Sequence, residues 1–285
     1  MTRATAAIGR RTMPPLGERL SMVFSDSVTI AKRNVIKIKR VPDVLIFSTL
    51  SPIMFVLLFA YIFGSAIAVP GMSGGYREFL IAGIFAQSVV FGATFTGLGL
   101  AEDMQKGIID RFRSLPMAPS AVLVGRTLSD VVINVVSLIV MSLTGLLVGW
   151  RIRGSFLDAV LAYILLLLFA YAVSWIMAVV GLLVRAPEVF NNASFMVIFP
   201  LTFLANTFVP LENLPTVLRV FAEWNPVSAV TQATRELFGN TSPMAPQSDA
   251  WSMRHPEVTT LGWVVIILLV FIPLALRQYK RTVSR

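Results

Sequence analysis

The sequence predicts an all-α polytopic membrane protein: six transmembrane helices, an N-terminal amphipathic helix and short outer helices before the last span. Three observations predict it. Apolar residues make up 56% of the 285 positions and charged residues only 14%, against roughly 25% charged in soluble domains. The 24 basic and 15 acidic side chains are confined to short intervals. Between them lie charge-free runs at 44–76, 79–101, 131–150, 159–184, 189–211 and 258–276, each close to or beyond the ~20 residues that let a helix cross ~30 Å of hydrocarbon. None alternates polar and apolar residues as barrel strands do, and backbone groups in lipid must be satisfied internally, so each run reads as a helix. The apolar content excludes disorder. A soluble bundle of this composition would lack polar surface. With no Cys and one His, disulfides, thiolate metal sites and histidine-rich metal sites are excluded.

The chain reads as one membrane domain, 1–285, beginning with a flexible cytoplasmic arm, 1–21. Over 22–40, Phe24, Val28, Ala31, Val35 and Ile38 fall on one side of a helix, with Lys32, Arg33, Lys37, Lys39 and Arg40 around the rest. Such a helix lies in the interface, its cations near anionic headgroups. Pro42 and Asp43 turn the chain into the first span, about 45–66, with Pro52 as a kink. Pro70, Gly71, Gly74 and Gly75 form a loop, and the second span covers 79–101.

Residues 102–120 form a cytoplasmic excursion in which Ile108, Phe112 and Leu115 share one helical face before Pro116 and Pro119 stop the helix. Such a helix suits a groove on a partner. The third span, 124–150, has Arg126 and Asp130 spaced to pair on one face. The fourth covers 157–183, Pro187 separates it from the fifth, 189–209, and the sixth covers 258–276. The outer region, 210–257, holds two amphipathic helical patterns broken by Asn225-Pro226, then a Ser/Pro/Met-rich loop containing His255.

Of the 24 Lys and Arg, 18 fall on the side of the termini and six on the other, which places both termini in the cytoplasm. The first apolar run starts after residue 43, too late for a cleavable signal. The basic arm carries no zinc-finger spacing and adjoins a span, so no nucleic acid is expected as partner. No GxxxxGK[ST] loop, H-E-x-x-H or G-x-S-x-G occurs, so a catalytic role is not expected. The centres of the spans lack the ionisable groups that proton-coupled carriers use. They offer uncharged polar groups instead: Gln87, Ser88, Thr94 and Thr96, Asn134, and Asn191, Asn192, Thr202 and Asn206. Together with Phe and Met, these suit a large amphipathic or lipid-like cargo. A pump without its own nucleotide site needs an energised partner. The alternative is a secondary carrier or channel not coupled to an ATPase.

Glu102, Gly107, Arg111 and Arg113-Ser114-Leu115-Pro116 resemble a segment of ABC-2 type permeases, nearest to the daunorubicin-resistance-like branch of actinobacteria. Phe208-Val209-Pro210, Leu214-Pro215 and Asn225-Pro226-Val227-Ser228 resemble the same branch. The resemblance covers roughly 22–280. It implies the permease half of an exporter: two such chains, identical or homologous, in the plasma membrane above two separate ATPase subunits that hold ATP and Mg2+. No cofactor is then expected on this chain. Glu102, Gly107, Ile108, Arg111, Phe112, Arg113, Leu115 and Pro116 would form the coupling helix. Phe24, Val28, Ala31, Arg33, Val35 and Ile38 would belong to an elbow helix, and Pro210, Pro215, Asn225 and Pro226 to outer re-entrant helices. Spans two and five would line the path with Gln87, Thr94, Asn191, Asn192, Thr202 and Asn206. Met104 and Gln105 stand where relatives often carry more charge.

Overall fold

The computed structural model describes residues 53–63, 75–108, 119–184, 186–208, 214–241 and 248–283, with Thr29, Leu50, Leu211 and Met244 as single positions. The elements are all helical: α1 (Ile53–Ile62), α2 (Gly75–Gly92), α3 (Thr94–Gln105), α4 (Pro119–Val148), α5 (Phe156–Leu183), α6 (Pro187–Phe203), α7 (Thr216–Trp224), α8 (Pro226–Leu237), α9 (Trp251–Arg254) and α10 (Pro256–Val283). α1 winds into a π turn at Phe59–Phe63. α2 and α3 stack end to end as one 31-residue apolar rod.

α5 is the axis of the bundle, packed against α2, α3, α4, α6, α8 and α10. Its start is fixed by a capping box in which the Ser155 hydroxyl accepts the Asp158 N–H and the Asp158 carboxylate accepts the Ser155 N–H. Phe169, Trp175 and Met177 on α5 are fully enclosed. The backbones of α3 and α5 touch at Gly97 and Gly181, where a Cβ on Gly181 would strike the Gly97 carbonyl. Small residues permit such a crossing between membrane helices. α10 buries little of itself and presents Val265, Ile266, Leu269 and Val270 outward.

Two ends can be told apart. At the loop end lie the close of α3, the start of α4 and the α5–α6 turn. At the cap end, α7, α8 and α9 close the bundle. Arg153 and Gly154 N–H groups donate to the Phe238 carbonyl at 2.8 and 3.0 Å, and Gly239 accepts a φ of 69° in that turn. Trp150, fully buried, sits within a cluster with Phe85 and Phe238, and Tyr163 joins it against both rings. Its indole N–H donates to Asn240 Oδ1 at 2.7 Å, and Asn240 Nδ2 donates to the Arg151 carbonyl at 2.9 Å. Asn240→Ala strands that indole N–H in the core, an expected loss of about 1–3 kcal/mol. A lowered thermal midpoint in tryptophan fluorescence checks it.

The structure corrects the expectation of six spans. Among the described residues, four helices are long and apolar enough to cross a membrane: Gly75–Gln105, Ser120–Val148, Phe156–Leu183 and Pro256–Arg281. The proposed fifth span, 189–209, ends as a 17-residue helix at Phe203. Pro200 weakens its last turn, and the chain then folds into turns over 204–208. Of the proposed first span, 45–66, the described part is the shorter apolar helix α1. The expected elbow helix, with Phe24, Val28, Ala31, Arg33, Val35 and Ile38, lies outside the described residues, and none is identified among them. The expected re-entrant helices are corrected as well. α8 packs against α2, α5 and α10 as an inner element of the protein, α7 is a short exposed helix beside α9, and no re-entrant helix is identified among the described residues. Pro119, expected to stop a helix, instead opens α4, where a missing N–H costs nothing.

Candidate functional site

The loop end is organised by a polar seam between the α2–α3 rod and α4. Gly92, Thr96, Gly99 and Asp103 lie at i, i+4, i+7 and i+11, one face of a helix. Arg126, Asp130 and Asn134 lie at i, i+4 and i+8 on α4. The helices run antiparallel, so the two rows meet in opposite order. Asn134 lies over Gly92, so close that a Cβ there would strike its side-chain amide. The Thr96 hydroxyl donates to Asp130. Arg126 lays its guanidinium where a Cβ on Gly99 would sit, and its Nη1 donates to Asp103 Oδ2 at 3.4 Å. Asn134 also donates to its own helix at the Asp130 carbonyl, 2.9 Å. The expected Arg126–Asp130 pair is therefore replaced, because α3 brings a second carboxylate, Asp103, within reach of Arg126.

The cap end is held by a second polar knot. Arg235, 2% exposed, donates Nε and Nη2 to the Phe79 carbonyl at 3.2 and 3.1 Å and Nη2 to the Asn206 carbonyl at 3.0 Å, with its guanidinium 3.7 Å from the centroid of the Phe79 ring. Ser228 Oγ accepts the Asn206 N–H at 2.9 Å, and Tyr76 donates to the Phe208 carbonyl at 2.9 Å. Arg153 pairs with Glu78 at 2.7 Å; that carboxylate raises the Arg153 pKa, through hydrogen bonds first and charge attraction second.

Between the two ends, α6 exposes Val189, Asn191, Asn192, Phe195, Met196 and Phe199. Its rings continue a row of aromatic contacts from Phe91 through Phe195, Phe199, Phe203 and Phe208 to Phe59 and Phe55, at centroid separations of 4.2–6.1 Å.

The residues expected to line a path fall on α2, the α2–α3 junction, α6 and the turn after it. Asn191 and Asn192 are exposed on α6 near the loop end. Gln87 is buried in α2. Thr94 bonds back to the Phe91 carbonyl at the α2–α3 junction, and Thr202 to the Ile198 carbonyl. Asn206 belongs to the Arg235 knot and donates to Gln232 at 3.0 Å. Of the expected coupling residues, Glu102 pairs with Lys106 at 3.2 Å, Gly107 turns the chain with φ 64°, and Ile108 is half-buried. Arg111, Phe112, Arg113, Leu115 and Pro116 lie outside the described residues, as does Pro210. Pro215 precedes α7. Asn225 caps α8 at the Val227 N–H and donates to the Leu201 and Leu204 carbonyls, and Pro226 takes the first helical position. The sequence reading missed the seam as a unit, although the helical spacing of Gly92, Thr96, Gly99 and Asp103 is visible in it.

The chain belongs to the ABC-2 type transporter family, whose model matches residues 27–238. It is 35% identical over 272 residues to the daunorubicin resistance ABC transporter permease protein DrrB1 of Streptomyces coeruleorubidus, covering 95% of this chain and 92% of that one. It is 24% identical over 232 residues to the probable doxorubicin resistance ABC transporter permease protein DrrC of Mycobacterium tuberculosis, 81% of this chain and 79% of that one. It is 23% identical over 265 residues to the putative transport permease ycf38 of Cyanophora paradoxa, 89% and 90% respectively. The protein is a membrane-embedded ABC-2 type permease subunit, and members of this family are transport subunits rather than catalysts.

Proposed function

We propose that this chain is the permease half of an ATP-driven exporter that moves an amphipathic drug-like, lipid or glycolipid cargo outward across the plasma membrane. The observation that carries this reading is the family membership of a multi-helix membrane chain whose sequence has no nucleotide-binding loop. Energy then comes from two separate ATPase subunits holding ATP and Mg2+, docked at the loop end around Glu102–Pro116. A second permease chain, identical or homologous, completes the membrane part. Both termini lie in the cytoplasm: Lys106, Arg126, Arg277, Lys280 and Arg281 gather at the loop end, in keeping with positive-inside bias. The exposed face of α6, with two amides near one end and a row of Phe rings beyond them, supports a cargo with a polar head and an apolar or aromatic body. Asn191 and Asn192 would meet that head.

Coupling requires that ATP binds one conformation of the complex more tightly than the other. The test is reconstitution of the chain in lipid with a candidate ABC ATPase subunit. Cargo-stimulated hydrolysis and ATP-dependent accumulation are expected. Transport by the chain alone, driven by an ion gradient, overturns the reading. Asn191→Leu with Asn192→Leu is expected to raise the cargo concentration for half-maximal stimulation about tenfold, the loss of roughly 1.4 kcal/mol of polar contact, with unchanged basal hydrolysis.

A further inference from the structure

We infer that the seam between α3 and α4 is a rigid strut: it locks the two helices that flank the 106–118 connection into one lever, so that a push on that connection moves both together. This rests on the reading of the loop end as the ATPase side. The inference stands on the kind of contact that joins the helices. α3 packs its apolar surface mainly on α5 and α6 and meets α4 at the polar seam, whereas the later part of α4, with Leu138, Met141 and Val148 in the core, packs on α2.

Each contact is enclosed. Asp130 is 4% exposed and Thr96 fully buried. The Arg126 and Asp103 side chains are 14% and 11% exposed. Separating a pair this dry strands a charge in low dielectric, which is strongly unfavourable. Apolar helix faces in a membrane slide at little cost because lipid tails replace them equally well. A seam of paired polar groups does not, since sliding pulls the Thr96–Asp130 and Asp103–Arg126 pairs apart at once inside an enclosed interface. Gly92 and Gly99 complete the arrangement by letting Asn134 and the Arg126 guanidinium press onto the rod's backbone. The contact pair nearest the connection, Asp103 with Arg126, closes the base of the hairpin. Asp103, Arg126 and Asp130 are thus positioning residues for coupling, and none needs to touch cargo.

The chain has no Cys, so introduced thiols report alone. The experiment uses the reconstituted complex and three forms of the chain. Asp103→Asn keeps size and hydrogen bonding while removing the charge. Asp103→Cys with Arg126→Cys removes the pair. The same double variant bridged by a short bis-methanethiosulfonate restores a link, because an Arg–Asp contact spans more than the ~5.5 Å Cα separation a disulfide requires. Cargo-stimulated hydrolysis is expected to fall about fivefold or more in the first two forms, the lower range of coupling free energies, and to return on bridging. Parent-like stimulation in Asp103→Asn, or no recovery on bridging, overturns the strut. Spin labels at Lys106→Cys and Ser120→Cys give a readout that needs no ATPase. The parent is expected to show one narrow distance distribution and Asp103→Asn a broadened one, and equal widths also overturn the strut. A parent complex without any stimulated hydrolysis sinks the coupling function instead, and the label distances still decide the strut.

Discussion

Gly97→Val is expected to abolish the folded permease. A Cβ at Gly97 meets the Phe190 ring and the Met177 carbonyl, and one at Gly181 meets the Gly97 backbone. Overpacking against movable side chains costs about 1–3 kcal/mol. Here a carbonyl stands in the way, so relief requires α3 and α5 to separate. That separation opens the packing around Phe190, Trp175 and Met177, all fully buried. Native proteins hold only about 5–15 kcal/mol in reserve. The measurement is the monodisperse fraction of detergent-extracted protein by fluorescence-detected size exclusion, where Gly97→Val and Gly181→Leu should both fall to the level of aggregate. Gly262→Ala is the control. No atom lies within 4 Å of a Cβ there, and Ala in an exposed helix gains up to about 1 kcal/mol over Gly. A Gly97→Val protein that elutes like the parent removes the close α3–α5 crossing from the account.

Arg235→Met is expected to be the most damaging change outside a helix crossing. The guanidinium serves the carbonyls of Phe79 and Asn206 at once and lies on the Phe79 ring. Met fills similar volume and donates nothing. The Asn206 carbonyl then loses this donor at about 1–3 kcal/mol, the Phe79 carbonyl is left with its own helix alone, and the cation–π contact goes as well. The thermal midpoint should drop by the largest margin of any cap-end variant, and chymotrypsin should cut at Phe238, between α8 and α9, in the folded protein. Arg235→Lys should recover only part, since an ammonium cannot reproduce the planar fork. A midpoint equal to the parent's shows that the cap holds without this knot.

The four long spans were legible because charge placement records them directly: no charge breaks 79–101, 131–150, 159–184 or 258–276, and a long apolar helix falls on each of the four. Hydropathy misled at 189–209 because it does not register geometry. Pro200 and the turn around Asn206 shorten α6, yet both sit in a run without charge. An uncharged polar residue in a span can line a path or serve the fold, and a sequence does not separate the two: Thr202 bonds to the Ile198 carbonyl and Asn206 donates to Gln232. Arg126 and Asp130 shared a helical face as expected, but which carboxylate Arg126 takes depends on the register of a neighbouring helix. That register is a tertiary fact. Conversely, Gly92, Thr96, Gly99 and Asp103 advertise a polar face in the sequence itself, and its partner face is what was missing.

The placement of α8 bears on biogenesis. It is enclosed by α2, α5 and α10, and Ser228, Thr231 and Arg235 are dry only in that enclosure. A ribosome that has finished α8 has not yet made α10, so the nascent chain must hold an arginine-bearing helix beside an unfinished wall. Release of a chain that stops before Pro256 leaves that side open to lipid. Membrane proteases should therefore clear such truncated products quickly, making the last span the checkpoint for the whole subunit.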